Sequence, residues 1–356
     1  MAWLEPGQPV RTWLSAPAFL YGLIVRVRHW CYRRGWCASS RLPCRVVSVG
    51  NVSVGGTGKT PVVILLAEWL LAEGRRVAVL SRGYKRESGA PYRLVSDGVR
   101  LLADPSDAGD EPFLIARRCP TAIVAVGADR AALGRWVLAQ QPVDCMILDD
   151  GFQHLALSRD VDIVLLDATD APGLDAMVPA GRLREPLTGL GRAGALVVTR
   201  ADSREDVEAV CRRLKAAHLP SDDAIEIRFA PESLVAVSVE AMQPLKWCRG
   251  MKTWLVSGIG NRESFRRSAA SLGVEIIGET AFSDHYRYHD DDVRRVRTDA
   301  QAAGADVVLT TEKDAGKLHP FLTPDDPWWA LRIRAEIIRG EERLRGLVMD
   351  RGAGSA

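Results

Sequence analysis

A glycine-rich stretch that ends in lysine and threonine offers the clearest chemistry in the sequence. It reads GNVSVGGTGKTP over residues 50–61, after the apolar run VVSVG and before a helix-like segment. Glycines let backbone N–H groups converge on phosphate oxygens, and the following helix contributes a favourable dipole. We therefore predict that a nucleoside triphosphate is bound by eight consecutive residues, which are Ser53, Val54, Gly55, Gly56, Thr57, Gly58, Lys59 and Thr60.

Two side chains of this loop have specific expected roles. Lys59 is expected to reach the β- and γ-phosphates, and the Thr60 hydroxyl to ligate Mg²⁺. The loop departs from the pattern G-x-x-x-x-G-K-[ST] at its first position, where Ser53 replaces glycine. Because the stretch after Ser53 is still rich in glycine, we interpret it as a variant phosphate-binding loop rather than an unrelated turn.

A pair of acidic residues supports this interpretation. The apolar run Cys145–Leu148 is followed directly by Asp149 and Asp150. Carboxylates at the end of a buried strand commonly hold the Mg²⁺ shell of a nucleotide site. We predict that both acids lie on the magnesium side, and the sequence leaves open which of them contacts the ion. The loop and the acids together predict binding of a nucleoside triphosphate with Mg²⁺, but they do not identify the acceptor of the phosphate.

Apolar runs alternate with helix-like segments along most of the chain. The first series of runs covers 46–50, 76–83, 121–127, 145–151, 162–168 and 195–202, and the second covers 252–261, 274–282 and 305–314. This alternation predicts a parallel sheet covered on both faces. The predicted fold class is α/β: a P-loop NTPase-like sheet domain, a second and smaller α/β domain, and an amino-terminal amphipathic helix.

Composition excludes several classes of protein. Of 356 residues, 47% are hydrophobic and 26% charged, which is ordinary globular usage, and a net charge of +2 implies no nucleic-acid partner. Residues 1–45 contain seven arginines against one acid, whereas the totals of 47 and 45 leave 40 basic and 44 acidic residues elsewhere. The seven scattered cysteines include no Cys-x-x-Cys pair, which disfavours a disulfide framework or zinc site and fits a cytosolic location.

The cationic front of the chain predicts contact with a membrane surface. Its apolar stretch, Ala16–Val25, is too short to span a bilayer, and the positive charge follows it rather than preceding it as in a signal peptide. The aromatic residues suited to the headgroup level are Trp13, Phe19, Tyr21, Trp30 and Trp36. The alternative is a helix that packs on the protein's own core and exposes its arginines to solvent. One end of the segment can contact the membrane while the other packs on the core.

Seven motifs together resemble one known family. They are GNVSVGGTGKTP (50–61), SRGYKR (81–86), GDEP (109–112), DDGFQH (149–154), PAGRLREP (179–186), FSDHYRY (282–288) and TTEKDAGKL (310–318). The set resembles the tetraacyldisaccharide 4′-kinase (lipid A 4′-kinase) family. The resemblance implies transfer of the γ-phosphate of ATP to the 4′-hydroxyl of an acylated glucosamine disaccharide 1-phosphate, giving a 4′-phosphorylated lipid A intermediate in lipopolysaccharide assembly. It also implies a peripheral enzyme on the cytoplasmic face of the inner membrane, with no obligatory protein partner evident.

The resemblance also suggests roles for individual residues. Asp110 in GDEP matches the family's catalytic Asp, and His285 in FSDHYRY matches the His thought to act with it. A sugar hydroxyl is a poor nucleophile at neutral pH, so a nearby base is expected, and Lys59 completes the catalytic set. Because Asp110 and His285 lie in different halves of the chain, the pair predicts closure of one domain on the other.

Further candidates have weaker support. Glu185 is predicted to be an additional metal or substrate acid, with an exposed loop ion pair as the alternative. His154 is expected to contact the sugar. Arg130 and Arg184 are expected to bind the substrate's 1-phosphate or sugar oxygens, because guanidinium matches phosphate geometry. A solvated surface position is the alternative for either arginine.

The predicted domain limits are 1–40 for the amphipathic membrane-associating segment, 41–235 for the P-loop kinase domain, 236–345 for a second α/β domain that completes the active site, and 346–356 for a flexible tail. The connection is placed around 230–250, which includes Pro231 and Pro244 and has no sustained pattern. Two competing functions remain: a P-loop GTPase or ATPase that acts without a lipid, and a nucleotide-binding regulatory module.

Overall fold

The computed structural model of the protein describes residues 11–84, 86–87, 89–239 and 241–350. The start of the predicted membrane-associating segment, the end of the predicted tail and Lys85 of the SRGYKR motif lie outside these residues. Among the helices within the described ranges, none combines the length and apolar character needed to cross a bilayer.

Strands and helices alternate as the sequence pattern predicts. The strands are β1 (Arg45–Asn51), β2 (Val77–Ser81), β3 (Tyr92–Asp97), β4 (Ile123–Gly127), β5 (Cys145–Asp149), β6 (Val161–Asp167), β7 (Ala195–Thr199), β8 (Ile225–Ala236), β9 (Met242–Gln243), β10 (Lys252–Ser257), β11 (Glu275–Ala281), β12 (Val307–Thr311) and β13 (Trp328–Arg339). The α-helices are α1 (Ser15–Arg33), α2 (Lys59–Ala72), α3 (Pro105–Ala108), α4 (Asp110–Arg118), α5 (Arg130–Leu138), α6 (Arg204–Ala216), α7 (Arg262–Ala270), α8 (Asp290–Ala302), α9 (Glu312–Leu318) and α10 (Glu341–Met349). Short 3₁₀ helices occupy Thr12–Leu14, Ala168–Leu174, Leu187–Arg192, Leu245–Cys248 and His319–Phe321.

The predicted α/β class is confirmed, and each predicted apolar run contains a strand. The strands β3, β8, β9 and β13 were not predicted. The described strands form one continuous sheet in the order β11-β10-β12-β13-β8-β7-β6-β1-β5-β2-β4-β3, with β9 beside β8. The sheet is mostly parallel, and its antiparallel pairs are β3 with β4, β8 with β13 and β8 with β9. Central strands such as β1 and β5 are almost entirely buried, as expected when helices cover both faces.

The two halves of the sheet run in opposite directions. β8 is parallel to β7 but antiparallel to β13, and β13 is parallel to β12, which in turn is parallel to β10. β7 pairs only with the first residues of β8, 225–227, whereas β12 pairs with 328–331, which lie opposite the last residues of β8. The second half is therefore displaced along β8 beyond the carboxyl ends of the first half.

This offset determines where a site can form. In parallel sheets, ligands bind outside the carboxyl ends of the strands. Because the second half is both reversed and displaced, its carboxyl ends face those of the first half across a gap whose wall is the middle of β8 and β13. The predicted limit between residues 235 and 236 falls at the end of β8, within this shared sheet, and the domain limits stay a prediction.

Candidate active site

The glycine-rich loop connects β1 to α2, so the strand–loop–helix context predicted from the sequence is confirmed. Helix α2 begins at Lys59 and is preceded by Gly58, whose φ of +83° lies in the left-handed region. A Cβ on Gly58 would come within 2.1 Å of the Phe229 ring. Glycine is therefore required here by both conformation and space, and the loop backbone lies close against β8.

Lys59 lies in a network of polar side chains. Its Nζ is 3.3 Å from Asn51 Oδ1 and 3.6 Å from Asp150 Oδ1. The Arg184 guanidinium donates two hydrogen bonds to Asp150, of 2.9 and 3.0 Å, and also bonds to Asn51. Two cations thus converge on one carboxylate beside the loop, and a bidentate arginine contact holds that carboxylate in a defined orientation.

The neighbouring acids Asp149 and Asp150 differ in environment. Asp149 is 6% exposed and accepts a 2.9 Å hydrogen bond from Ser81 Oγ. Burial, followed by the charge of Asp150, raises the pKa of Asp149 to about 6. Burial alone would also raise the pKa of Asp150, but Lys59 and Arg184 outweigh it and lower that pKa. Asp150 has φ of +54°, a left-handed conformation uncommon outside glycine, which is typical of functional positions.

The donor set around the loop fits a nucleotide-bound Mg²⁺. Thr60, Asp149 and Asp150 line one cavity together with the loop. Among the described residues, no group of three or more His, Cys, Asp or Glu could hold a metal ion by itself. Mg²⁺ in nucleotide sites is held by one or two carboxylates, water and phosphate oxygens, so a small protein contribution is what this chemistry requires.

The cavity has a volume of about 950 Å³ and lies in the gap between the two halves of the sheet. Its first side is formed by the loop, Asp149, Asp150 and Arg184. Its second side is formed by residues that follow β10, β11 and β12, including Asn261, His285 and Lys313. The middle of β8 and β13 closes the back. Phosphate-binding groups of one half thus face polar side chains of the other.

Asp110 and His285 are in contact although 175 positions separate them. The Nδ1 of His285 is 3.1 Å from Asp110 Oδ2. Asp110 is the first residue of α4, and His285 lies in the loop after β11 with φ of +58°. The Tyr84 ring meets the imidazole edge-on at 5.5 Å between centroids. The two residues matched to the family's catalytic pair are therefore adjacent, and His285 and the neighbouring Glu111 line the cavity.

Asp110 is held as a carboxylate. Burial alone would raise its pKa, but the hydrogen bond from His285 and the charges of Lys317 and Lys313 lower the pKa below its usual range. An ionised carboxylate can accept a proton, whereas a protonated one cannot. The arrangement is therefore suited to a general base at neutral pH.

Glu185 is not brought to the cavity. Its side chain is fully buried, and its carboxylate lies 2.8 Å from Arg192 and 3.5 Å from His29, with a 2.7 Å hydrogen bond from Gln153. These partners already surround both oxygens. Glu185 thus forms an ion pair, but a buried one and not the exposed one considered as the alternative, and its metal role stays a prediction.

The remaining predicted substrate residues divide into two places. Arg184 lines the cavity, whereas Arg130 and His154 lie outside its described lining. Arg130 is 7% exposed and donates a 2.7 Å hydrogen bond to the Ala128 carbonyl. Burial, followed by the charge of Arg130, lowers the pKa of His154 to about 4, so this imidazole is neutral at pH 7. The predicted contacts of Arg130 and His154 with the sugar or the 1-phosphate therefore stay predictions.

Several side chains at the cavity or beside the Asp110–His285 pair were given no role from the sequence. Arg200 donates a 2.8 Å hydrogen bond to the Gly56 carbonyl of the loop, and Phe229 packs against Gly58. Lys313 and Lys317 surround the Asp110–His285 pair. The two lysines lie four positions apart in the TTEKDAGKL motif, and this one-turn spacing on a helix was the available signal.

The strand–loop–helix geometry, the lysine at the helix start and the acids at the end of β5 define a P-loop nucleotide-binding protein. Comparison with known proteins then identifies the family. The family model described as tetraacyldisaccharide-1-P 4′-kinase matches residues 10–352. The chain belongs to this family.

Individual relatives agree with this family membership. The tetraacyldisaccharide 4′-kinase of Anaeromyxobacter sp. (strain Fw109-5) is 41% identical to this chain, over 98% of this chain and 96% of that protein. The protein of the same name from Syntrophus aciditrophicus is 40% identical over 90% and 88%, respectively. The crystal structure of LpxK from Aquifex aeolicus in complex with ATP matches 95% of this chain and 98% of its own, with a TM-score of 0.76 and 32% identity.

Proposed function

We propose that this protein is an ATP-dependent kinase that phosphorylates the 4′-hydroxyl of a tetraacyldisaccharide 1-phosphate, a lipid A precursor. The observation that carries the proposal is the Asp110–His285 pair, at 3.1 Å, beside the same cavity as the phosphate-binding loop. Nucleotide hydrolysis requires a loop of this kind but no such pair formed between the two halves. Family membership supports the identity of the acceptor.

The chemistry assigned to the chain is proton removal and charge neutralisation. Asp110 accepts the proton of the 4′-hydroxyl as the 4′-oxygen forms its bond to the γ-phosphorus. The bond from that phosphorus to the β–γ bridging oxygen breaks, and ADP leaves. Lys59 and the amides of residues 53–60 stabilise negative charge on the phosphate oxygens. His285 orients Asp110 through its ring N–H.

Thr60 and the acids Asp149 and Asp150 are the residues that hold Mg²⁺ in this proposal. The ion supplies neutralisation of charge on the β- and γ-phosphate oxygens when it is bound. Ser81 holds Asp149, while Lys59 and Arg184 hold Asp150, so both carboxylates are oriented before the nucleotide arrives. Arg130 and His154 are proposed to contact the phosphorylated disaccharide.

The test is a transfer assay with purified protein, ATP labelled at the γ-phosphate, Mg²⁺ and the disaccharide lipid in detergent. We expect label to appear on the lipid, and mass spectrometry of the product to place it on the 4′-oxygen. Label released to water alone, at the same rate with and without lipid, would support the GTPase or ATPase alternative. Nucleotide binding without turnover would support the regulatory module.

We also propose that α1 lies on the cytoplasmic surface of the inner membrane. Its inward face is narrow: Ala18 and Gly22 are buried, Tyr21 donates a 2.9 Å hydrogen bond to the Arg184 carbonyl, and His29 approaches Glu185. Its large apolar residues face outward, and the exposed ones are Phe19, Leu20, Leu23, Ile24, Val27 and Trp30. An apolar face turned away from the protein body is suited to a membrane interface.

Replacing Phe19, Leu20, Leu23 and Ile24 together with serine is expected to lower binding to vesicles of anionic phospholipid, since the apolar area available to the interface is removed. Sedimentation with the vesicles measures the bound fraction. The matched control replaces Met242 and Ile338, which are also exposed, with serine. Equal sedimentation of the α1 variant and the parent protein would overturn the assignment.

A further inference from the structure

Helix α9 brings two lysines to the Asp110–His285 pair. Lys317 Nζ lies 3.2 Å from Asp110 Oδ2 and 3.0 Å from Asp314 Oδ1. Lys313 Nζ lies 3.3 Å from His285 Nε2. Both lysine side chains are largely buried, with 11% and 17% exposure. Residues four apart on a helix share a face, so one face of α9 contacts both members of the pair.

We propose that Lys317 and Lys313 are positioning residues that determine where the protons of the Asp110–His285 pair lie, Lys317 by keeping Asp110 a carboxylate and Lys313 by keeping His285 Nε2 free of a proton. This inference rests on the proposed function, in which Asp110 is the base. Neither lysine is assigned a contact with the phosphates or the sugar. Their effect on turnover passes through the pair.

The argument for Lys317 concerns the burial of Asp110. That carboxylate is 12% exposed, and burial disfavours its charged form. A cation at 3.2 Å opposes this effect at short range and in a site of low dielectric. The charged or polar groups facing Asp110 are His285, Lys313, Lys317 and the Tyr288 ring, over which the Lys317 ammonium lies at 5.4 Å. Lys317 supplies the nearest permanent positive charge of this set.

Lys317 is itself fixed by Asp314. This carboxylate is fully buried and accepts hydrogen bonds from the Gly258 N–H, at 2.9 Å, and from Thr311 Oγ1, at 2.7 Å. Gly258 follows β10, and Thr311 ends β12. The position of Lys317 is thereby tied to two strands of the second half, while its ammonium reaches Asp110 in the first half.

The argument for Lys313 is based on hydrogen-bond donors. A lysine ammonium has three donors and no acceptor, so the ring nitrogen that meets it must accept. With Nε2 as the acceptor, the ring proton lies on Nδ1 and is donated to Asp110. Two carboxylates, Glu111 and Asp284, lie 3.6 and 3.7 Å from Nε2 and favour a proton there.

Lys313 removes that influence because it pairs with both carboxylates itself, at 3.0 Å to Glu111 and 3.1 Å to Asp284. Burial alone would lower the pKa of Lys313, but Glu111 and Asp284 raise it to about 12, so the ammonium stays charged across the physiological range. Without this lysine, two uncompensated carboxylates would face Nε2.

The experiment compares full-length Lys317→Met and Lys313→Met with the parent protein in the lipid phosphorylation assay over a range of pH. For Lys317→Met we expect the acid limb of the kcat profile to move upward by about 1–3 pH units, so that kcat falls between pH 5 and pH 6 while KM for ATP stays within about threefold. The direction follows because Asp110 must be ionised to act and loses a cation that favours ionisation. Lys317→Arg should restore the parental limb.

For Lys313→Met the readout is the ring protonation of His285, measured by ¹⁵N NMR of histidine-labelled protein and assigned with His285→Gln. We expect Nε2 to be unprotonated in the parent protein at pH 7.5 and protonated in the variant. The glutamine variants Lys317→Gln and Lys313→Gln repeat each measurement with a polar side chain in case methionine prevents folding. Lys246→Met, at an exposed position, is the control for loss of a lysine.

An unmoved acid limb in the Lys317 variants, whether or not kcat falls, overturns the role of Lys317. A ring proton that stays on Nδ1 alone in the Lys313 variants overturns the role of Lys313. Either result leaves the proposed function intact if Asp110→Asn has lost transfer. Parental transfer by Asp110→Asn would instead overturn the base assignment itself.

Discussion

Replacing Lys59 with alanine is expected to lower phosphate transfer to the lipid by about 10²–10³-fold, the usual cost of removing one preorganised charge-stabilising donor. The reason is the position of its ammonium, 3.3 Å from Asn51 and 3.6 Å from Asp150, at the start of α2. A cation there meets phosphate oxygens whose charge changes as the bond breaks. The measurement is kcat in the transfer assay at saturating ATP and lipid.

The surroundings of Asp150 indicate that the loss of kcat in Lys59→Ala will not come from local unfolding. Arg184 still contacts both oxygens of Asp150 in the variant, so the carboxylate stays paired. We therefore expect an unchanged melting temperature and a parental circular dichroism spectrum. Lys246→Met provides the matched control for loss of one lysine. Parental kcat in Lys59→Ala would contradict the assignment of the loop, and with it the kinase proposal.

The parts of the site that could be predicted from the sequence are those in which the chemistry is local. Lys59 and Thr60 follow a strand and begin a helix within about a dozen residues, and Asp149 and Asp150 end an apolar run. Strand, loop and helix patterns specify such positions without knowledge of distant contacts. Asp110 and His285 were named through a family resemblance, because nothing local distinguishes either residue from an ordinary loop residue.

Glu185 shows the limit of the same reasoning. An acid in a motif beside the site is compatible with a metal ligand, but its surroundings come from His29 in α1, Gln153 after β5 and Arg192 in a 3₁₀ helix. No spacing in the sequence indicates that these three groups, two of which come from distant elements, will surround it. Lys313 and Lys317 were overlooked for a related reason: their partners in α4, Glu111 and Asp110, lie more than 190 positions away.

The fold was predicted where strands are short and buried. β8 and β13 escaped prediction because each is partly exposed and 12 residues long, and Pro231 interrupts the pattern of β8. Pro231 cannot donate to a ladder, and it lies next to a register shift in the β8–β13 pairing. These two strands join the halves and set the offset that makes the carboxyl ends face each other. The feature that creates the cavity was therefore the least visible in the sequence.

Because Asp110 and His285 come from opposite halves, the base is complete only while the halves are in contact. α4 of the first half packs against α9 of the second. Arg118 in α4 adds ion pairs to Glu312, at 2.9 Å in α9, and to Glu232, at 3.1 Å in β8. A nucleotide bound at the loop and a sugar bound at the facing half would both favour this contact. Domain closure itself stays a prediction.

Replacing Asp110 with asparagine is expected to lower kcat by about 10²–10⁴-fold, the usual contribution of a positioned base, while ATP affinity stays within about threefold. Asparagine keeps the shape of the side chain and cannot accept the proton. kcat and the dissociation constant for ATP, measured separately, distinguish the two effects. The control is Asp107→Asn, three positions earlier, whose carboxylate forms a half-exposed pair with Arg93.

The dependence of kcat on pH provides a second check on the role of Asp110. Since His285, Lys317 and Lys313 lower the pKa of Asp110 against the effect of burial, the carboxylate is ionised throughout the neutral range. Titration of Asp110 should therefore cause no loss of parental kcat between pH 8 and pH 5, and the residual rate of Asp110→Asn should lack any limb that belongs to this group. Activity of Asp110→Asn within severalfold of the parent protein would show that the 4′-hydroxyl loses its proton elsewhere, and the contact across the two halves would then serve structure alone.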